Sequence, residues 1–141
     1  MTFPGAVFSF EVRAQVGVPL ELGDLPAGRR RIVPILGGTF EGPEIKGRVL
    51  SVGADWQIVR PDGVFELDAR YTLETDAGKL IYVVNRGMRH GPPEEPAKVY
   101  FRSVPLFETA VPELQWLTRS IFVGSGERYP SDVVIRFWRI E

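Results

Sequence analysis

Short runs of alternating apolar and polar residues, cut by glycine and proline, extend through most of this chain. In VFELDARYTLET, Phe65, Leu67, Ala69, Tyr71 and Leu73 share one face of an extended segment. Val64, Glu66, Asp68, Arg70, Thr72 and Glu74 share the other, because side chains two apart in a strand point the same way. The preceding segment, RVLSVGADWQIV, splits in the same manner. Leu50, Val52, Ala54, Trp56 and Ile58 stand against Val49, Ser51, Gly53, Asp55, Gln57 and Val59. The pattern predicts strands at 6–15, 30–36, 38–46, 47–60, 63–75, 79–88, 98–107, 119–124 and 132–140, with 18–22 a further candidate. Turn signals separate them at Gly37-Gly38, Pro61-Asp62-Gly63, Asp76-Ala77-Gly78 and Gly124-Ser125-Gly126. VPELQWLTR predicts one or two helical turns, with Pro112 at an early helical position. Nine or ten short strands joined by short turns predict an all-β domain over 1–141. The expected form is a single antiparallel up-and-down β-barrel of the lipocalin-like kind, whose closure removes exposed sheet edges.

Composition narrows the function classes. With 141 residues, 44% hydrophobic and 25% charged, the chain suits one soluble domain. It has no apolar run approaching the ~20 residues of a spanning helix. MTFPGAVFSFEV lacks the basic-then-apolar order of a secretory signal. Cysteine is absent, which removes thiolate chemistry and makes the cytoplasm the expected compartment. The single histidine, His90, makes a transition-metal site improbable and no cofactor is expected; carboxylates for a hard cation remain. A net charge of −1 argues against nucleic acid as a partner. The run Arg29-Arg30-Arg31 does not alter that, since alternation sends Arg29 and Arg31 to one face and Arg30 to the other. Arginines number 14 against three lysines, a balance that suits partly buried pairing with carboxylates and equally a GC-rich genome.

The order GRRRIVPILGGTFEGPEIKGRVL, GADWQIVRPDGVFELDARYTLETDAGKLIYVVNRG, YFRSVPLFET, QWLTRSIFVGSGER resembles the family of unknown function numbered 3237, also called uncharacterised protein family 0311. The resemblance runs from about residue 6 to 140. It implies a β-barrel, often assembled as a homodimer or larger homo-oligomer, and no settled activity. Two positions depart from the family pattern. Val52-Gly53 stands where a double glycine usually precedes Ala-Asp-Trp, and Thr118 replaces an asparagine in the Trp-Leu-Asn-Arg element.

Candidate chemistry depends on which strand face meets the lumen. If the segments around Pro61-Asp62-Gly63 pair with polar faces aligned, Asp55, Asp68 and Arg70 converge on one surface. Enclosed, two carboxylates beside one guanidinium would separate in pKa and supply an acid and a base at one pH. Exposed, Asp68 and Arg70 would form an ordinary surface pair over an apolar core. Tyr82 shares a face with Val84 and Arg86, and Tyr100 with Arg102, offering a hydroxyl donor and anion holders. Trp116 would plug a barrel end or stack on a ligand, with Arg119 pairing to Glu108 or Asp68. Glu41 and Glu108 are further carboxylates able to replace Asp55. The loop GMRHGPPEEPAK would be either a lid over the barrel mouth or a solvated connection. No phosphate-binding loop, serine elbow or serine–histidine pair is present.

The leading expectation is a cofactor-independent acid–base enzyme, a lyase, isomerase or cyclase acting on a small carbonyl or phenolic compound. Asp55 and Asp68 would handle protons, Arg70 and Arg102 would hold an anion, and Tyr82 would donate a hydrogen bond. Tyr100, Trp56, Trp116 and Arg119 complete the expected ligand contacts. Two rivals stand beside it: a carrier barrel lined by Trp56, Leu67 and Tyr71, and an oligomeric scaffold whose lumen is filled by side chains.

Overall fold

A computed structural model describes residues 2–141. Nine strands account for most of them: β1 (Ala6–Val16), β2 (Leu20–Leu25), β3 (Gly28–Glu41), β4 (Lys46–Val59), β5 (Phe65–Thr75), β6 (Leu80–His90), β7 (Tyr100–Glu108), β8 (Phe122–Arg128) and β9 (Asp132–Ile140). All pairings are antiparallel, in the order β1-β9-β8-β7-β6-β5-β4-β3-β2. A further β1–β3 pairing closes eight of the strands into a barrel. β2 lies outside the ring, hydrogen-bonded to the first half of β3. A 3₁₀ turn, Pro96–Lys98, lies between β6 and β7, and a 3₁₀ helix, Pro112–Thr118, between β7 and β8. No helix among the described residues is long and apolar enough to cross a membrane.

The segments expected as separate strands at 30–36 and 38–46 are largely one strand. Gly37-Gly38, read as a turn, is a bulge within β3, where the register against β4 shifts between Pro34 and Thr39. Gly38 has φ +132°, and a Cβ there would strike the Arg13 carbonyl on β1, so glycine is required. The bulge also reverses which residues face inward. Val33 and Ile35 point to the lumen before it and Phe40 after it.

One end of the barrel is solid. Phe10, Phe40, Phe107, Phe122 and Phe137 fill it, with Phe10–Phe137 centroids 5.1 Å apart and Phe107–Phe122 in edge-to-face contact at 5.2 Å. Leu73, Ile81 and Val83 complete the packing, and Leu114 and Leu117 of the 3₁₀ helix cap it. Trp116 rests 6.3 Å from Phe122, in the plug position. The helical turn therefore closes an end that eight strands alone would leave open.

Candidate functional site

At the opposite end the lumen is not filled. A cavity of about 70 Å³ lies among Val12, Ala14, Val16, Val33, Ile35, Leu67, Ala69, Phe101, Val133 and Ile135. Asp55, Gln57, Tyr71, Asn85, Arg89, Ser103 and Arg128 add the polar lining. The space suits several waters or a small organic group.

The hairpin between β4 and β5 decides what enters. Its register pairs Ile58 with Glu66, Asp55 with Ala69 and Gly53 with Tyr71. Residues of the same parity therefore sit opposite each other, and the polar face of β4 shares the lumen with the apolar face of β5. The expected convergence of Asp55, Asp68 and Arg70 does not occur. Asp55 points inward while Asp68 and Arg70 point out, the five-residue loop 60–64 having set a register one residue away from the expected one. On the outer wall Arg70 holds both carboxylate oxygens of Asp68 at 3.2 and 3.3 Å, and Arg86 approaches the same group at 3.6 Å.

The other expected site residues fall outside the cavity as well. Tyr82 and Arg86 alternate with the inward Ile81, Val83 and Asn85 on β6. On β7, Tyr100 and Arg102 alternate with the inward Phe101 and Ser103. Arg102 spans the outer wall, donating to the Phe101 carbonyl at 2.9 Å and lying over the Tyr100 ring. Trp56 faces outward, 37% exposed, so of the three residues expected in a carrier lumen only Leu67 and Tyr71 line it. Trp116 belongs to the closed end. Arg119 is exposed and pairs with neither Glu108 nor Asp68. Of the segment 87–98 expected as a loop, residues 87–90 belong to β6 and Arg89 among them lines the cavity, while the remainder contributes nothing to the lining.

Asp55 is the carboxylate in the cavity lining, and it is firmly held. It accepts from Gln57 Nε2 at 2.8 Å and from the Asp68 backbone N–H at 2.9 Å, a donor left free where the β4–β5 ladder is interrupted. Burial raises its carboxyl above the ordinary carboxylate range, against the Gln57 amide, the Asp68 N–H and Arg89, which favour the ionised form. Burial also raises the Tyr71 phenol, with the Asp55 charge acting the same way. The Tyr71 hydroxyl has no hydrogen-bond partner among the described residues.

Arg89 is the residue that strand alternation hid. It is 8% exposed and has no carboxylate within salt-bridge distance among the described residues. Its guanidinium lies 4.4 Å from the centroid of Phe65 and 5.6 Å from that of Phe101. Burial, with Arg128 and Arg31 nearby, pulls it down to about 10, Asp55 acting in the opposite sense. Three buried polar atoms of the lining also lack partners: Gln57 Oε1, Asn85 Oδ1 and Ser103 Oγ. Buried polar atoms are rarely left unsatisfied, and these three converge on one cavity. A signal for this was present in KLIYVVNRGMRH. Asn85 and Arg89 have the parity of Ile81 and Val83, which are core residues by any reading.

Comparison with known proteins agrees with this barrel. Residues 4–140 match the family described as protein of unknown function (DUF3237). A UPF0311 protein from Rhodopseudomonas palustris is 44% identical over 139 residues, covering 91% of each chain. One from Clostridium acetobutylicum is 39% identical over 143 residues, covering 93% of this chain and 90% of that protein. Among solved structures, a conserved protein of unknown function from R. palustris superposes with TM-score 0.96 at 41% identity over the full length of both chains. A beta-barrel like protein from Acinetobacter baumannii gives 0.90 at 38% identity, covering 99% of each chain. A protein described as an enzyme from Penicillium herquei shares the fold at TM-score 0.82 and 23% identity, over 100% of this chain and 97% of that one.

Proposed function

The chain belongs to the DUF3237 family of proteins of unknown function, and we propose that it is a cofactor-independent acid–base enzyme acting on a small carbonyl or phenolic compound in the mouth cavity. The observation that carries this reading is Asp55, a carboxyl raised by burial, held by two hydrogen bonds and facing the cavity. A base of this kind is poised closer to neutral pH than a solvated carboxylate, which is where proton transfer is most effective. Asp55 would take a proton from a C–H beside a carbonyl or from a phenolic O–H. The resulting oxyanion would be stabilised by Arg89 and by the free Tyr71 hydroxyl. Return of the proton from Asp55 to a different atom completes an isomerisation, or a ring closure when an oxygen of the same substrate has attacked. Asp68 and Tyr82, on the outer wall, have no part in this scheme.

The test is turnover of carbonyl and phenolic candidates by wild type and Asp55→Asn. Asparagine preserves shape, can still accept from the Asp68 N–H, and cannot take the proton. Loss of turnover with ligand binding retained supports the reading. Unchanged turnover sinks it. Binding without turnover in the wild type would identify a carrier instead.

A further inference from the structure

The charges around the mouth do not balance, and the imbalance names a ligand class. Arg31 and Arg89 lie 5.6 and 4.4 Å from the centroid of the same Phe65 ring, so their guanidinium carbons are within about 10 Å of each other. Arg128 lines the same cavity. Burial and neighbouring guanidinium groups lower both, Arg128 and Arg31 acting on Arg89 and Arg31 acting on Arg128, and the carboxylate that offsets each of them is Asp55. Glu21 reaches Arg31 at 3.5 Å from the rim, yet the Arg31 Nε remains buried without a hydrogen bond. On the outer wall several arginines have close acidic partners: Arg13 with Asp132, Arg48 with Glu74, Arg70 with Asp68, Arg136 with Glu11 and Glu127. Arg89 and Arg128 thus line the cavity with no carboxylate within salt-bridge distance among the described residues, and Arg89 is buried there. A buried charge without a partner is costly, and it is tolerable when a partner arrives from outside.

We propose that the mouth is a carboxylate subsite, in which Arg89, flanked by Arg31 and Arg128, holds the carboxylate of a small organic acid whose apolar body fills the cavity. The planar guanidinium fork suits a carboxylate. The Phe65 and Phe101 rings lie against the Arg89 guanidinium, and the aliphatic lining of Val12, Val33, Ile35 and Ile135 receives the rest of the molecule. This rests on the proposed function for where the reacting atoms lie, beside Asp55, but the anion site is testable without any turnover.

The experiment is calorimetric titration of the full chain with three acid–amide pairs: acetate and acetamide, benzoate and benzamide, phenylacetate and phenylacetamide, with inorganic phosphate as a further arm. At least one acid is expected to bind about tenfold or more tightly than its amide. Arg89→Met should abolish that preference, and Arg128→Gln should weaken it with the fold intact, which guards against an Arg89 variant that does not fold. Asp55→Asn should keep or tighten acid binding, since it removes a like charge. Equal binding of acid and amide in every pair, or an acid preference that survives both arginine substitutions, overturns the proposal. So does phosphate binding as tightly as the best acid. Failure of the two readings is distinguishable. Turnover of neutral compounds that depends on Asp55, with no acid preference, removes the subsite alone. Acid preference with turnover indifferent to Asp55→Asn removes the acid–base role alone.

Discussion

The two ends of this barrel are made by the same eight strands and differ in nearly every respect that matters to energy. At the closed end five phenylalanines interlock and a 3₁₀ helix seals them. At the mouth, on the continuations of those strands, stand a half-buried carboxylate, an unpaired buried arginine and three polar atoms without partners. The first arrangement is what stability selects. The second costs stability, and such costs gather at sites of function. Eight continuous strands let one end bear the strain of the other.

Breaking the closed end should have the largest effect. Phe137→Ala removes a fully buried ring and should cost about 3–5 kcal/mol in chemical denaturation. Arg89→Met at the mouth should leave the melting temperature unchanged or raised. Equal losses from the two would erase the division between the ends. Next in size is the kinetic effect of Asp55→Asn, a fall in kcat of about 100-fold or more for a general base.

Gly126 tests how the ends communicate. A Cβ there would lie 2.7 Å from the Phe101 ring, which would be forced toward the cavity. Gly126→Ala should cost about 1–3 kcal/mol through overpacking and weaken ligand binding beyond that loss, as a titration of wild type and variant with benzoate would read. A smaller effect is expected in the pH dependence of stability. Because burial raises Asp55 in the folded state, the folded chain binds that proton more tightly than the unfolded one. Its contribution is complete below the unfolded value and is lost as pH rises through the folded value. Asp55→Asn should therefore be more stable than wild type at pH 7, the gap closing toward acid in melting curves. Glu127, lowered by Tyr129 and Arg136, acts in the opposite direction at the surface. The smallest effect is expected from Arg70→Ala on the outer wall, whose melting temperature should stay within scatter of wild type.

Much of this was legible in one dimension. The β4, β5, β6 and β9 segments, the short turns between them, the helical plug at Trp116 and the split of Arg29 and Arg31 from Arg30 all follow from alternation and punctuation. Of the candidate site, Asp55 was legible and its neighbours were not. Choosing Asp68, Arg70, Tyr82, Tyr100 and Arg102 followed the most polar face of each strand taken separately, and those faces form the outer wall.

A strand's sequence specifies two faces and says nothing of which one closes inward. Period-two alternation made these segments strands, and the number of them made a barrel. The choice of lumen belonged to register: the five-residue loop 60–64 set Asp55 opposite Ala69, and the bulge at Gly37-Gly38 exchanged the faces of β3. Pairing of β1 with both β3 and β9 then closed the ring over Asp55 and Arg89 together. A one-residue change in pairing turns every side chain over, so the site exists only once hydrogen bonds between distant strands have settled it.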